Sequence, residues 1–227
     1  MVIKISQTAS NIMQKFDIYY DYNYMYEGEL GSYNRYQKIL LKKNEEAILE
    51  GRFYVSSAKN FIPFRHLFGL EDLSQNVKIF DKENEIASFV YSKHGFLKSC
   101  YKITYKDKTI NCYKYSKGRF DYVSFYLNDK QIAELQIYTT IVDQKYNYKI
   151  YLLDEYKELT EILSMFVLYY ANYNYTERFH MSKGTEVSYT LYQLTRYKKK
   201  YNPNWVSTHF SQASFFVDRT WIEPPIT

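Results

Sequence analysis

The sequence predicts a mainly β (α+β) fold: antiparallel strands closing into a barrel around one hydrophobic helix, with a further segment after that helix. Three observations predict it. Apolar and polar residues alternate with period two from about Ile3 to Leu153, the pattern of strands with one buried face. Within that region one strand–turn–strand unit occurs twice. Residues 162–171 are then apolar on every helical face, and a helix without a polar side needs a wall all round it.

Taken in order, residues 16–26 read as a strand carrying five tyrosines, and residues 47–55 as another. Residues 61–70, interrupted by Pro63 and Gly69, read as an apolar loop or short helix. The repeat follows. Val77, Ile86 and Ala87 match Val123, Ile132 and Ala133 at an offset of 46 without a gap. Tyr101-Lys102-Ile103 matches Tyr148-Lys149-Ile150 at an offset of 47. Polar turns at 81–84 and 128–130 fall at the same place in each copy. Two copies are too few for a solenoid and suit the two halves of one closed sheet. Ile86 and Ile132 are therefore expected at equivalent inward positions, as are Ile103 and Ile150.

Between the copies, residues 100–105 and 110–115 read as a hairpin turning at 106–109, with paired residues summing to 215. Cys112 then faces Ile103 and Cys100 faces Tyr115, which puts the two cysteines on opposite faces of the sheet. Two free thiols and a reducing compartment are expected. The strand pattern ends at Leu153. Asp154 reads as an N-cap, and Glu155 and Glu158 suit the positive end of a helix running from 155 to 173. Beyond it, residues 187–194 read as a strand, 194–201 as a short basic helix and 202–205 as a turn. The domain reading is a barrel with its helix over 1–175 and an extension over 176–227 packed on the barrel.

Length and composition bound the function. At 227 residues and 27.5 kDa the chain is one large domain, or a domain with an appendage. The greasiest run is about ten residues, half of what a membrane-spanning helix needs. The first seven residues lack an apolar core of the secretory kind. The expected location is cytoplasmic, or peripheral at a membrane.

The chemistry sought is mostly missing. No Gly-x-Gly phosphate loop and no Gly-x-Ser-x-Gly elbow occur, and His66, His94, His180 and His209 do not fall at metal-ligand spacing. Asp218 with His180 or His209 is the one conceivable acid–base pair, and nothing in the spacing supports it. No enzyme activity, metal or cofactor is expected.

Charge is the remaining clue. The net charge is a mild +5. Residues 92–119 hold eight basic side chains (Lys93, Lys98, Lys102, Lys106, Lys108, Lys114, Lys117 and Arg119) against one acid, Asp107. Lys102, Lys106, Lys108, Lys117 and Arg119 are expected to form one anion-binding patch around the hairpin turn. Tyrosines 101, 105, 113, 115 and 122 interleave with these lysines, the pattern of a surface on which nucleic-acid bases could stack. A second basic cluster, 196–201, reads as a helix end with cations near the negative pole.

The repeat pair, together with the junction Tyr148-Lys149-Ile150-Tyr151-Leu152-Leu153-Asp154-Glu155, resembles the tubby C-terminal-like fold, whose relatives are the LURP-one-related proteins and the phospholipid scramblases. The match covers about residues 77–173. The resemblance implies a barrel of about twelve strands wrapped around a central helix. It also implies binding of phosphoinositide head groups by lysine and arginine on the barrel surface. It departs from this chain after the helix, where tubby domains usually end and about fifty residues follow here. Three partners are therefore expected as alternatives: an anionic membrane surface or phosphoinositide, a protein bound in a scaffold role, and single-stranded nucleic acid.

Overall fold

A computed structural model of the chain describes residues 1–10, 13–33, 36–54, 76–93, 99–117, 120–138, 140–141, 146–175, 187–188 and 200–211. The expected elements at 61–70 and 187–194, apart from residues 187–188, lie outside these, as do Arg119 and most of the segment 176–199. Twelve strands form a closed barrel, each antiparallel to its neighbours. They are β1 (Val2–Ser10), β2 (Gln14–Tyr20), β3 (Asn23–Tyr33), β4 (Tyr36–Lys43), β5 (Glu46–Tyr54), β6 (Asn76–Asp81), β7 (Asn84–Lys93), β8 (Ser99–Tyr105), β9 (Lys108–Lys117), β10 (Phe120–Leu127), β11 (Lys130–Tyr138) and β13 (Asn147–Leu152). β1 closes the circle by pairing with both β2 and β13. The short strands β12 (Thr140–Ile141) and β14 (Val187–Ser188) pair with each other outside it.

The repeat is real at the level of register. Phe89 stands opposite Ile103, and Leu135 opposite Ile150. Ala87 stands opposite Tyr105, and Ala133 opposite Leu152. Val77, Ala87, Ile103, Val123, Ala133 and Ile150 all lie in one core. Ile86 and Ile132 are each the extra residue of a β-bulge, and both pack on that core.

The same device extends into the N-terminal strands. Met25 in the β2–β3 hairpin and Ile48 in the β4–β5 hairpin are also bulge residues, each three positions after its turn. A bulge adds one residue and sharpens strand twist. Four of them, all beside the turns, bend the sheet so that it can close.

Five two-residue turns lie at one end of the barrel: 21–22, 44–45, 82–83, 106–107 and 128–129. Asp21–Tyr22, Asn44–Glu45 and Asn128–Asp129 have positive φ at both residues, the mirror-image turn whose twist matches paired strands. Lys106 also adopts positive φ. The β8–β9 turn is thus 106–107, and paired residues sum to 213: Tyr101 faces Cys112 and Ile103 faces Ile110. The parity is unchanged, so the cysteines still lie on opposite faces, and neither is in a disulfide.

From the end of β13 the chain crosses the tight-turn end as a 3-10 segment, Asp154–Leu159, and then enters the lumen as α1 (Thr160–Tyr175). The expected helix start is corrected here. Tyr156 breaks the helical geometry, and Asp154 makes no capping bond, pairing instead with the Met1 amino group at 2.6 Å. The 3-10 segment is also held by Lys108–Glu158 and Lys130–Glu155 ion pairs, each at 2.5 Å. Residues 162–171 are buried throughout. Phe166 is fully enclosed, with edge-on ring contacts to Phe89 on β7, Tyr101 on β8 and Phe125 on β10. This is why the helix can be apolar on all sides.

Candidate functional site

Among the described residues, Lys106 and Lys108 sit at one end of β9 and Lys117 at the other, so the expected patch is not drawn together there. Lys102 is exposed on β8, and Lys106 is exposed in the turn with its ammonium 5.0 Å over the Tyr105 ring. Lys108 is held by Glu158, whose hydrogen bond raises its pKa. Lys117 is the last residue of β9, nine positions from Lys108. At about 3.3 Å per residue, these two backbones are roughly 30 Å apart. The side chain of Lys117 and the whole of Arg119 lie outside the described residues; β9 ends at Lys117 and β10 begins at Phe120, away from the tight turns. A hairpin with long strands separates what the chain order places close together. Lys114 is spent inside: it pairs with Asp121 at 2.9 Å and lies 5.5 Å over the Tyr170 ring of α1.

The tight-turn end is acidic. Asp21, Glu45, Glu46, Asp81, Glu83, Glu85, Asp107, Asp129, Asp154, Glu155 and Glu158 lie there or on the crossing segment, against Lys42, Lys43, Lys82, Lys106, Lys108, Lys130 and Lys157. This rim carries a formal −4, and the other described residues together carry +4. Polar turn residues were legible in the sequence. That alternate loops gather at one end, and so sum their charge, follows only from the closed topology.

The tyrosines between the lysines are largely occupied. Tyr101 and Tyr122 are buried. Tyr201 stacks on Tyr115 at 4.4 Å and lies 4.9 Å from Tyr122. Lys200 sits over Tyr126 and Tyr113, its carbonyl accepts from the Tyr126 hydroxyl at 2.9 Å, and its ammonium pairs with Asp129 at 3.2 Å. Further along, α2 (Trp205–His209) and Phe210 pack on Tyr151 and Val2. Residues 200–211 thus run across the outer wall of the barrel from β9 to β1.

Beneath this segment lies a set of residues that alternation alone marks as exposed. Ser124 on β10 stands opposite Glu134 on β11, which stands opposite Tyr151 on β13. In the next row Tyr122, Gln136 and Lys149 align in the same way. All are outward-facing and all are buried. Outward glutamine and glutamate read as solvated in a sequence. Only a covering segment, distant along the chain, changes that.

Of the conceivable acid–base pair, His180 and Asp218 lie outside the described residues. No group of three or more His, Cys, Asp or Glu side chains among the described residues could hold a metal. The His209 ring contacts the Trp205 carbonyl of its own helix at 2.7 Å. Burial pushes the Cys112 thiol well above its ordinary value, and Cys100 is only half-buried. A thiol reagent applied to the native protein should therefore label Cys100 and leave Cys112 intact, with mass spectrometry of the peptides as the check. Comparison with protein-family models, with curated proteins and with solved structures found no match in any of the three.

Proposed function

We propose that this chain is a non-catalytic binding domain that meets an anionic membrane surface with the end of its barrel opposite the tight turns. The observation that carries the reading is the charge polarity along the barrel axis. Among the described residues, the acidic rim at one end leaves a basic excess to the rest of the barrel, where β7 finishes at Lys93 and β9 at Lys117. A body polarised in this way is turned by the field of an anionic surface so that the rim faces away. Because α1 fills the lumen, recognition falls to the outer surface. The nucleic-acid reading loses its main support, since Tyr101, Tyr115 and Tyr122 are packed against α1 or Tyr201 rather than presented to bases.

The test is co-sedimentation with vesicles of neutral lipid, with and without anionic lipid, at two salt concentrations, alongside short oligonucleotides. At roughly 1 kcal/mol per basic residue near an anionic surface, K117E/R119E should weaken vesicle binding at least tenfold. K106E/K108E should change it little, because those lysines sit on the acidic rim. Failure of the wild-type chain to bind anionic vesicles, or selective loss in K106E/K108E, would overturn the reading in favour of a scaffold role.

A further inference from the structure

We propose that residues 200–211 form a proton-controlled strap: protonated Glu134 lets the segment close over β10, β11 and β13, and ionised Glu134 loosens it and uncovers a polar, tyrosine-rich face. This goes beyond membrane binding and does not depend on it.

The floor under the strap is poorly satisfied. Ser124 Oγ, Gln131 Nε2, Glu134 Oε2 and Gln136 Oε1 are all buried there without a hydrogen-bond partner. Each buried, unpaired polar atom costs free energy that a solvated one does not. A barrel wall built for permanent cover has apolar residues at such positions. This one is built to be wetted, and the strap closes over it at a cost.

The strap is also lightly held. Among the described residues its polar ties to the floor at the Lys200 end are a hydrogen bond from Tyr126, an exposed ion pair to Asp129 and a hydroxyl contact between Tyr201 and Tyr122, beside Lys200 over the Tyr126 and Tyr113 rings and the Tyr201 stack on Tyr115. Its far end is anchored by Trp205, Val206 and Phe210. A segment held by few polar bonds and a small aromatic anchor is drawn from the low-stability end of a structure.

Glu134 supplies the sensitivity to protons. It is 2 % exposed, and its Oε1 accepts a hydrogen bond from Gln136 at 2.9 Å. The titratable groups brought against it are Tyr122 and Tyr126 from β10, Tyr151 from β13 and Tyr201 from the strap, and Lys149 of β13 stands one row away, opposite Gln136. The Lys149 ammonium lies 5.9 Å over the Tyr151 ring. Burial pushes the Glu134 carboxyl up to about 7, against the pull of the nearby Gln136 and Gln131 amides. Burial likewise raises the Tyr201 phenol to about 12, with the Glu134 charge adding to it.

With the strap open, Glu134 titrates near its ordinary 4.5. The closed state holds its proton more tightly, so closure is fully favoured below that value. It weakens as pH rises to about 7, and does not change further above it. Across that window each pH unit is worth up to a factor of ten, so the closing equilibrium should fall by about a hundredfold between pH 4.5 and 7.

The experiment is amide hydrogen exchange of the full chain from pH 5 to 8, corrected for intrinsic rates, with the β6–β7 hairpin as internal reference. Wild-type protection of 200–211 should fall with rising pH while the reference holds, and E134Q should remove that dependence. Wild-type protection independent of pH, or an unchanged dependence in E134Q, would overturn the proposal. A second measurement covers a poorly folded E134Q. The Glu134 carboxyl, followed by NMR, should return to the ordinary carboxylate range in W205A, which frees the strap. A value still raised in a folded W205A would also overturn it.

Discussion

Phe166→Ala is expected to destabilise the fold by about 3–5 kcal/mol, the range for a fully buried phenylalanine. Such a loss is a large fraction of the total stability of an ordinary domain. The expectation rests on enclosure rather than on type. Phe166 has no exposed surface, and its ring meets Phe89, Tyr101 and Phe125 from three different strands, as well as Tyr169 and Tyr170 on its own helix. Walls on several sides belong to a hydrogen-bonded cylinder and cannot collapse into the space left behind. The cavity cost should therefore be near its full size. Urea unfolding with an unchanged m-value and a lowered midpoint is the measurement. A loss below about 1 kcal/mol would mean that the helix does not sit inside the barrel.

Gly28→Val is expected to cost about 1–3 kcal/mol or more, from the opposite cause. Gly28 lies on β3 where α1 passes close by. A Cβ there would stand 2.7 Å from one methyl of Leu168 and 2.8 Å from the other. Leu168 is fully buried and has nowhere to turn. The missing side chain of one residue is the space that the other fills. The double substitution G28V/L168A should thus cost clearly less than its two parts added together, a coupling of the size seen between touching residues. Strict additivity in unfolding experiments would refute the contact.

Most of the fold was legible because its two strongest signals are physical necessities. Alternation reports one buried face, and residues 162–171 report burial on all faces; a strand wall around a helix satisfies both. The repeat was legible because Ile103 and Ile150 keep the same partners in space, Phe89 and Leu135. The details that escaped concern single residues with no distinguishing chemistry. Nothing about Lys106-Asp107 marks it as the turn over Asp107-Lys108. Asp154 is as good a cap as any, and it is claimed by the Met1 ammonium from the neighbouring strand at the β1–β13 seam. One regularity gains its meaning only from the closed sheet: an apolar residue, Met25, Ile48, Ile86, Ile110 or Ile132, stands three places after every tight turn. The candidate site was least legible. Lys108 and Lys117 are near in the chain and at opposite ends of the barrel, while Glu134 and Tyr201 are far apart in the chain and near in space.

The closing seam between β1 and β13 has a consequence for how the molecule comes to be folded. Val2 pairs with Tyr151, and the helix that fills the lumen follows that last strand. Local hairpins can form within microseconds, but the seam joins the two ends of the barrel's chain, and that loop entropy must be met before any reward arrives. The nascent sheet has two unpaired edges and an apolar inner face until residues 160–175 emerge to occupy it. Folding should accordingly be slow and cooperative, with the helix and the seam arriving together. In the interval before they do, the unfinished sheet is the species most exposed to aggregation.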